Sequence, residues 1–135
     1  MNYTENYQLP QWEKTDRILM EDFNSAMVQL DSAVGEKVRV VSGTYTGNGA
    51  ASREIDLGGR PKVVMVGLTN AGQQNNSYAV YGGIAAETWI QTHLNYSVVE
   101  LTDKGFRVFT YYVPDTSYAI ATNANGLPYY YIAIM

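Results

Sequence analysis

The sequence predicts a mainly β protein, in which a short N-terminal helix precedes an antiparallel β-sandwich or barrel. The window Thr15–Val34 spaces its apolar residues as a helix does and contains no Gly or Pro. From Glu36 onward Val, Thr, Tyr and Gly replace the helix formers, and turn signals recur at short intervals. The chain also holds 12 Tyr against 3 Phe and 2 Trp, and tyrosine favours strands. We therefore expect an arm and helix at 1–35 and an all-β domain at 36–135.

The N-terminal segment predicts an extended arm followed by a helix. The arm is polar and aromatic and contains Pro10, and Thr15 or Asp16 is expected to cap the helix, which ends near Gly35. Apolar residues recur in steps of four, three, four and three, a heptad seam about two heptads long. Its members are Leu19, Phe23, Ala26, Leu30 and Ala33. Two interpretations stay open, because the seam suits packing on the chain's own β domain or a short coiled coil, which two heptads cannot hold together alone.

The second part of the chain predicts short strands separated by turn residues, such as Asn48-Gly49 and the hairpin turn Asp103-Lys104-Gly105, in which Gly105 is free to take a positive φ. The predicted strands are Val38–Tyr45, Ser52–Leu57, Lys62–Thr69, Tyr78–Ile84, Asn95–Leu101, Gly105–Val113 and Tyr129–Ile134. The third is apolar on both faces, which predicts a central strand covered on both sides. The polar run 70–77 predicts a loop. The last strand is expected inside a sheet, because an exposed edge there would favour aggregation.

Catalytic and metal-binding patterns are missing from the sequence, so we expect a protein that is not an enzyme and needs no cofactor. His93 is the one histidine, and no nucleophile motif accompanies it. Glu87 and Glu100 would form the carboxylate pair of a glycosidase only by accident of the fold. The chain has no cysteine, and the acidic residues beyond the helix are too scattered for a zinc or calcium site.

Charge and hydropathy exclude further classes of partner. The net charge is −4 and no basic cluster is present, whereas a nucleic-acid-binding surface needs one to contact phosphates. No apolar run approaches the length of a membrane-spanning helix. The N-terminus has neither the charged nor the apolar region of a signal peptide, so a chain made in the cytoplasm of the host, without a signal peptide, is expected.

Aromatic residues in the second half of the chain indicate a binding face. Alternation along the last strand places Tyr129 and Tyr131 on one face and Tyr130 on the other. One set is expected in the core, and the other is expected to form a platform that stacks on sugar rings or on a partner. The candidate ligand-contacting residues are Trp89, Tyr111, Tyr118, Tyr129 and Tyr131.

Several segments resemble proteins of phage particles. The run Asn6–Glu13 and the helix start Asp16–Asn24 resemble the N-terminus of tail and fibre proteins from phages and prophages of Gram-positive bacteria. The segments Gly43–Gly49, Ile55–Val64 and Tyr129–Ile134 resemble a small β module repeated in such fibres. The chain departs from a full tail fibre because it lacks a long shaft of collagen-like or coiled-coil repeats.

The resemblance implies a structural protein of the virion, a short head or tail appendage. It implies a homotrimer joined through a coiled coil, whose N-terminal arm attaches to another virion protein and whose β domain decorates the particle or contacts a glycan of the host surface. Two alternatives are a monomeric carbohydrate-binding module, which the aromatic second half favours, and a wall hydrolase, which only the phage context favours.

Overall fold

The computed structural model describes residues 1–69 and 78–135 and shows a mainly β protein with several antiparallel sheets and one short helix. The described elements, in chain order, are β1 (Asn2–Tyr3), β2 (Pro10–Gln11), α1 (Met20–Gly35), β3 (Val40–Thr46), β4 (Ser52–Asp56), β5 (Val63–Leu68), β6 (Ala79–Val80), β7 (Gly83–Ala86), β8 (Trp89–Ile90), β9 (Thr92–His93), β10 (Tyr96–Ser97), β11 (Val99–Leu101), β12 (Gly105–Tyr112), β13 (Ala119–Ala121) and β14 (Pro128–Ile134). The chain divides into two compact units, a helical unit at 1–38 and a β unit at 39–135.

The helical unit consists of the arm and α1. In the arm, β1 and β2 pair in antiparallel fashion, so the arm doubles back on itself and is not fully extended. The helix begins at Met20, later than the predicted start at Thr15, and ends at Gly35 as expected. The predicted cap is wrong because the Asp16 carboxylate is used in a turn, where it accepts the Glu13 backbone N–H at 2.8 Å. Leu19 stands at the N-cap instead, with no side-chain hydrogen bond to the helix.

Most strands in the described part of the β unit lie in two five-stranded sheets. One has the order β3-β14-β5-β7-β8 and is antiparallel throughout. The other joins β11, β12, β13 and β6, with β4 also paired to β12, and its β13–β6 pair is parallel. The last strand, β14, lies between β3 and β5, which confirms its predicted place inside a sheet.

A single apolar core draws residues from both sheets. Val64, Tyr129 and Ala133 of the first sheet and Phe106 and Ile120 of the second are fully buried members of it. The prediction that Lys62–Thr69 is covered on both faces is wrong. Along β5 buried residues alternate with less buried ones, and Met65 is 40% exposed. This strand is central in its sheet but only one of its faces meets the core.

Another predicted strand, at residues 78–84, is divided by the fold. The segment 78–84 separates into β6, which pairs with β13, and β7, which pairs with β5, so the chain changes sheets at Tyr81 and Gly82. A Cβ on Gly82 would lie 2.4 Å from the Val66 carbonyl oxygen, so only glycine allows this close crossing. The predicted polar loop at 70–77 lies outside the described residues.

The predicted hairpin at residues 95–113 is confirmed only for its inner part, where β11 pairs with β12. Tyr96–Ser97 pairs instead with Thr92–His93 in a separate small hairpin. Gly105 does not take a positive φ, which among the described glycines is found at Gly49, Gly58 and Gly126. Gly105 is required for another reason, because a Cβ there would lie 2.0 Å from the Ile55 carbonyl oxygen of the neighbouring strand.

Candidate functional site

The residues of the predicted heptad seam differ in their exposure. Leu19, Phe23 and Leu30 are exposed, Ala33 is half-buried, and Ala26 is buried. Ala26 lies beside the arm. It lines a small cavity of about 190 Å³ together with the arm residues Met1, Tyr3 and Pro10. The predicted set therefore does not form one uniform surface of the helix.

A second heptad series is exposed along its whole length. Met20, Phe23, Met27, Leu30 and Val34 follow one another in steps of three, four, three and four and are between 38% and 73% exposed. Their spacing places them on one face of α1. We call these five residues the exposed seam. The sequence pattern assigns Met27 and Val34 only to the widening of the predicted stripe, because nothing in the sequence shows that the arm lies beside Ala26.

The predicted ligand residues Tyr129 and Tyr131 belong to the core side of the β unit. Tyr129 is fully buried, so its proposed contact with a ligand is wrong, and its ring stacks on Tyr45 with centroids 4.9 Å apart. Tyr131 is half-buried against the core, with its ring 5.2 Å from that of Phe106 and lying over Gly43 of the neighbouring strand. The structure thus decides which face of β14 is internal, a choice that alternation left open.

Two further predicted ligand residues, Tyr111 and Tyr118, are covered in part by the small hairpin β9–β10. His93 and Tyr96 are cross-strand partners in this hairpin and so lie on the same face of it. The His93 ring contacts Tyr118 at 5.4 Å, and the Tyr96 ring contacts Tyr111 at 6.0 Å between centroids. The last predicted residue, Trp89, lies on the edge strand β8 and is exposed.

Burial changes the acidity of the tyrosine that the hairpin covers. Burial raises the pKa of Tyr111 above its ordinary value, and the nearby Glu100 carboxylate adds to this effect. The Tyr111 hydroxyl therefore stays protonated at neutral pH. Through their ring contacts with His93 and Tyr96, Tyr118 and Tyr111 mainly help to hold the hairpin against the rest of the β unit.

A cavity of about 460 Å³ lies in the β unit beside β6, β12 and β13. Thr110, Tyr112, Ala119 and Ala121 share one face of the sheet, because Thr110 pairs with Ala121 and Tyr112 with Ala119. Ala79 pairs with Ala119 and extends this face into β6. Tyr81, Tyr111, Ile120 and the segment that contains Ala124, Asn125 and Leu127 complete the lining.

The wall segment 121–125 is anchored by buried side chains from distant parts of the chain. The Tyr129 hydroxyl donates to the Ala121 carbonyl at 2.5 Å and accepts the Ala124 N–H at 3.0 Å. The Tyr45 hydroxyl donates to the Thr122 carbonyl at 2.5 Å. Burial raises the pKa of Tyr129 to about 12 and also raises that of Tyr45, so both hydroxyls remain donors at neutral pH.

Two buried polar side chains within this segment complete the anchoring. The Thr122 hydroxyl donates to the Val98 carbonyl at 3.0 Å and accepts the Phe109 N–H at 2.8 Å. The Asn123 amide donates to Asn48 Oδ1 at 2.7 Å and to the Ala50 carbonyl at 3.1 Å, and its oxygen accepts the Asn48 N–H. Since buried polar networks with every member paired are rigid, the cavity has one firm wall.

One side chain of the cavity is not satisfied in this way. Among the described residues, the Thr110 hydroxyl oxygen is buried and has no hydrogen-bond partner. It lies on the cavity face of β12, next to the anchored segment. Buried polar atoms without a partner are uncommon and indicate a strained, functional or water-filled position.

Neither the arrangement of the described residues nor comparison with known proteins assigns a role to these features. Within residues 1–69 and 78–135, no group of three or more His, Cys, Asp or Glu is arranged to hold a metal ion. In the same part of the chain, no helix has both the length and the apolar character needed to cross a membrane. Comparison of the chain with protein-family models, curated proteins and solved structures finds no match.

Proposed function

We propose that this chain is a self-associating structural protein of a phage particle, in which the helix joins three copies and the β unit contacts the host surface. The observation that carries the proposal is the exposed seam of α1. The resemblance of the arm, the helix start and the strand segments to phage fibre proteins supplies the context and the trimeric state. In this proposal the β unit is a two-sheet sandwich, which its shared core supports.

The exposed seam has the chemistry of a helix–helix interface. A soluble helix ordinarily buries its apolar stripe, whereas α1 leaves five large apolar side chains exposed at heptad spacing. The residues that flank the seam in a heptad are Leu19, Asn24, Ala26, Asp31 and Ala33. Only Asp31 among them is charged, so copies of α1 meet little like-charge repulsion beside the seam. This composition favours association with another copy of the same helix.

The β unit supplies the additional contact that so short a coiled coil needs. Met65 and Ile132 are cross-strand partners on the face of the first sheet that points away from the core, and Tyr130 lies on the same face. All three are exposed, at 37% to 42%. Clustered exposed apolar residues are typical of protein–protein contacts, so this face is proposed to join β units in the assembly.

The arm is proposed to attach the assembly to another virion protein. Tyr3 and Tyr7 are both more than half exposed, although the arm also packs on α1. Exposed tyrosines supply a large contact area with a polar tip, which is typical of interfaces.

The test is the absolute mass of the full chain in solution, measured by light scattering after size exclusion. The expected mass is three times the chain mass of 15.0 kDa. The double substitution Phe23→Glu and Leu30→Glu places charges in the exposed seam and is expected to give monomers. Val28→Glu is the matched control, because Val28 is exposed on α1 outside the seam. A monomeric wild-type chain, or a trimer that survives the double substitution, would contradict the proposal.

A monomeric carbohydrate-binding module is the second candidate function. The cavity beside β12 and β13 favours it, because the cavity is mostly apolar with a few polar groups, as small-molecule sites are. The two functions differ in one measurable property, since only the first requires self-association. They are compatible when the assembled protein itself binds a sugar.

A further inference from the structure

The cavity in the β unit has the size and the lining of a small-molecule site. Its volume of about 460 Å³ lies within the range of roughly 300–1,000 Å³ that is usual for such sites. Ala79, Ala119 and Ala121 contribute small side chains to one face of it, which leaves room above the sheet. The Tyr112 side chain is on the same face and is 73% exposed, so its ring is available at the margin of the cavity.

Two polar groups of the cavity have unused hydrogen-bonding capacity. The Thr110 hydroxyl has no partner among the described residues, and because its oxygen is enclosed it meets a ligand only after rotation about the Cα–Cβ bond. Asn125 also lines the cavity and is exposed, so its side-chain amide is accessible to a ligand. A hydroxyl and an amide can each donate and accept, so together they suit a ligand that carries hydroxyl groups.

The charge of the lining restricts the ligand further. None of the described residues that line the cavity is Asp, Glu, Lys, Arg or His. An ionic ligand would therefore lose its hydration without gaining a countercharge, which is unfavourable. A neutral ligand with both apolar surface and hydroxyl groups fits the alanine face, the tyrosine ring and the two polar groups. A pyranose ring has this composition, with C–H groups on its faces and hydroxyls around its edge.

We propose that this cavity binds a neutral pyranose unit of a glycan, with Thr110 and Asn125 as hydrogen-bonding residues and Tyr112 as the stacking residue. The proposal rests on the host-surface contact proposed above and places it at a defined site. The anchored segment 121–125 holds one wall in position before the sugar arrives, which lowers the entropy lost on binding. Of the five predicted ligand residues, Tyr111 lines this cavity, and Trp89, Tyr118, Tyr129 and Tyr131 do not.

The test is NMR on the full chain with methyl glycosides of neutral hexoses, 6-deoxyhexoses and N-acetylhexosamines, in which saturation transfer detects binding and protein amide chemical shifts locate it. At least one class is expected to bind, with amide shifts at Ala79, Ala119, Ala121 and Asn125. Thr110→Val keeps the shape of the side chain and removes the hydroxyl, and it is expected to weaken binding about five- to tenfold, as for one lost hydrogen bond. Thr44→Val is the matched control, because Thr44 is an exposed threonine on β3 in the other sheet.

Tyr112→Ala is a second variant, and its exposed position makes a folding defect unexpected. It is expected to weaken binding at least as much as Thr110→Val does. The proposal is overturned if no class of glycoside binds, if the shifts lie elsewhere, or if both variants bind as the wild type does. The measurement is repeated on the seam variant Phe23→Glu and Leu30→Glu. Sugar binding by a wild-type chain that is monomeric would support the site while refuting the assembly, and a wild-type trimer that binds no glycoside would do the reverse.

Discussion

Removing the Tyr129 hydroxyl by the substitution Tyr129→Phe tests whether the buried network holds the wall segment 121–125 in place. The hydroxyl joins β14 to this segment through two hydrogen bonds, one to the Ala121 carbonyl and one from the Ala124 N–H. Phenylalanine retains the ring, so the stacking on Tyr45 at 4.9 Å is preserved. The substitution therefore isolates the hydrogen bonds from the apolar packing.

The expected loss of stability follows from the two bonds. Each contributes about 0.5–1.5 kcal/mol net, so their removal lowers the free energy of unfolding by roughly 1–3 kcal/mol. The upper part of this range is expected, because Ala121 is buried and water does not readily replace the hydroxyl. For a unit of about a hundred residues, a loss of 2 kcal/mol lowers Tm by roughly 10 °C.

The assay is urea unfolding of the full chain, followed by tyrosine fluorescence and circular dichroism, with thermal melts as a second measure. Tyr130→Phe is the matched control, because Tyr130 is the next residue of β14 and lies on the exposed face. It is expected to change stability by less than about 0.5 kcal/mol. The reasoning would be refuted if Tyr129→Phe were as stable as Tyr130→Phe, since the hydroxyl would then contribute nothing to the fold.

Two other predictions concern a turn and the response to alkali. Leu94 and Asn95 connect β9 and β10 with φ values of 51° and 69°, and leucine tolerates this region poorly, so Leu94→Asn is expected to raise the free energy of unfolding by about 0.5–1 kcal/mol in urea titrations. A fall in stability would show that the exposed leucine makes an important contact. Because burial raises the pKa of Tyr129 to about 12, its stabilising effect is complete below pH 10 and is lost as pH rises towards 12. We would check the second prediction by following urea unfolding and tyrosinate absorbance together over this pH range. The prediction fails if all tyrosines ionise near pH 10 without loss of stability.

Local sequence patterns were sufficient for the mainly β class, the end of the helix at Gly35 and the interior position of the last strand. These features depend on neighbouring residues, such as an alternating apolar pattern, a glycine after a helix, or a strand that would otherwise expose a long edge. The same patterns place Tyr129 and Tyr130 on opposite faces of β14, which the structure confirms.

The tertiary structure alone decided which of two possible faces is covered. Alternation is symmetrical between Tyr129 and Tyr130, and only the packing of the second sheet buries Tyr129 and leaves Tyr130 exposed. The same holds for the helix, where the sequence did not show which heptad series is covered. The arm lies beside Ala26, and the exposed seam, which includes Met27, is left uncovered. The cavity could not be predicted at all, since Ala79, Thr110 and Asn125 are far apart in the sequence and meet only through strand register. Periodicity describes the chain's own geometry, whereas burial depends on segments that the chain brings together from a distance.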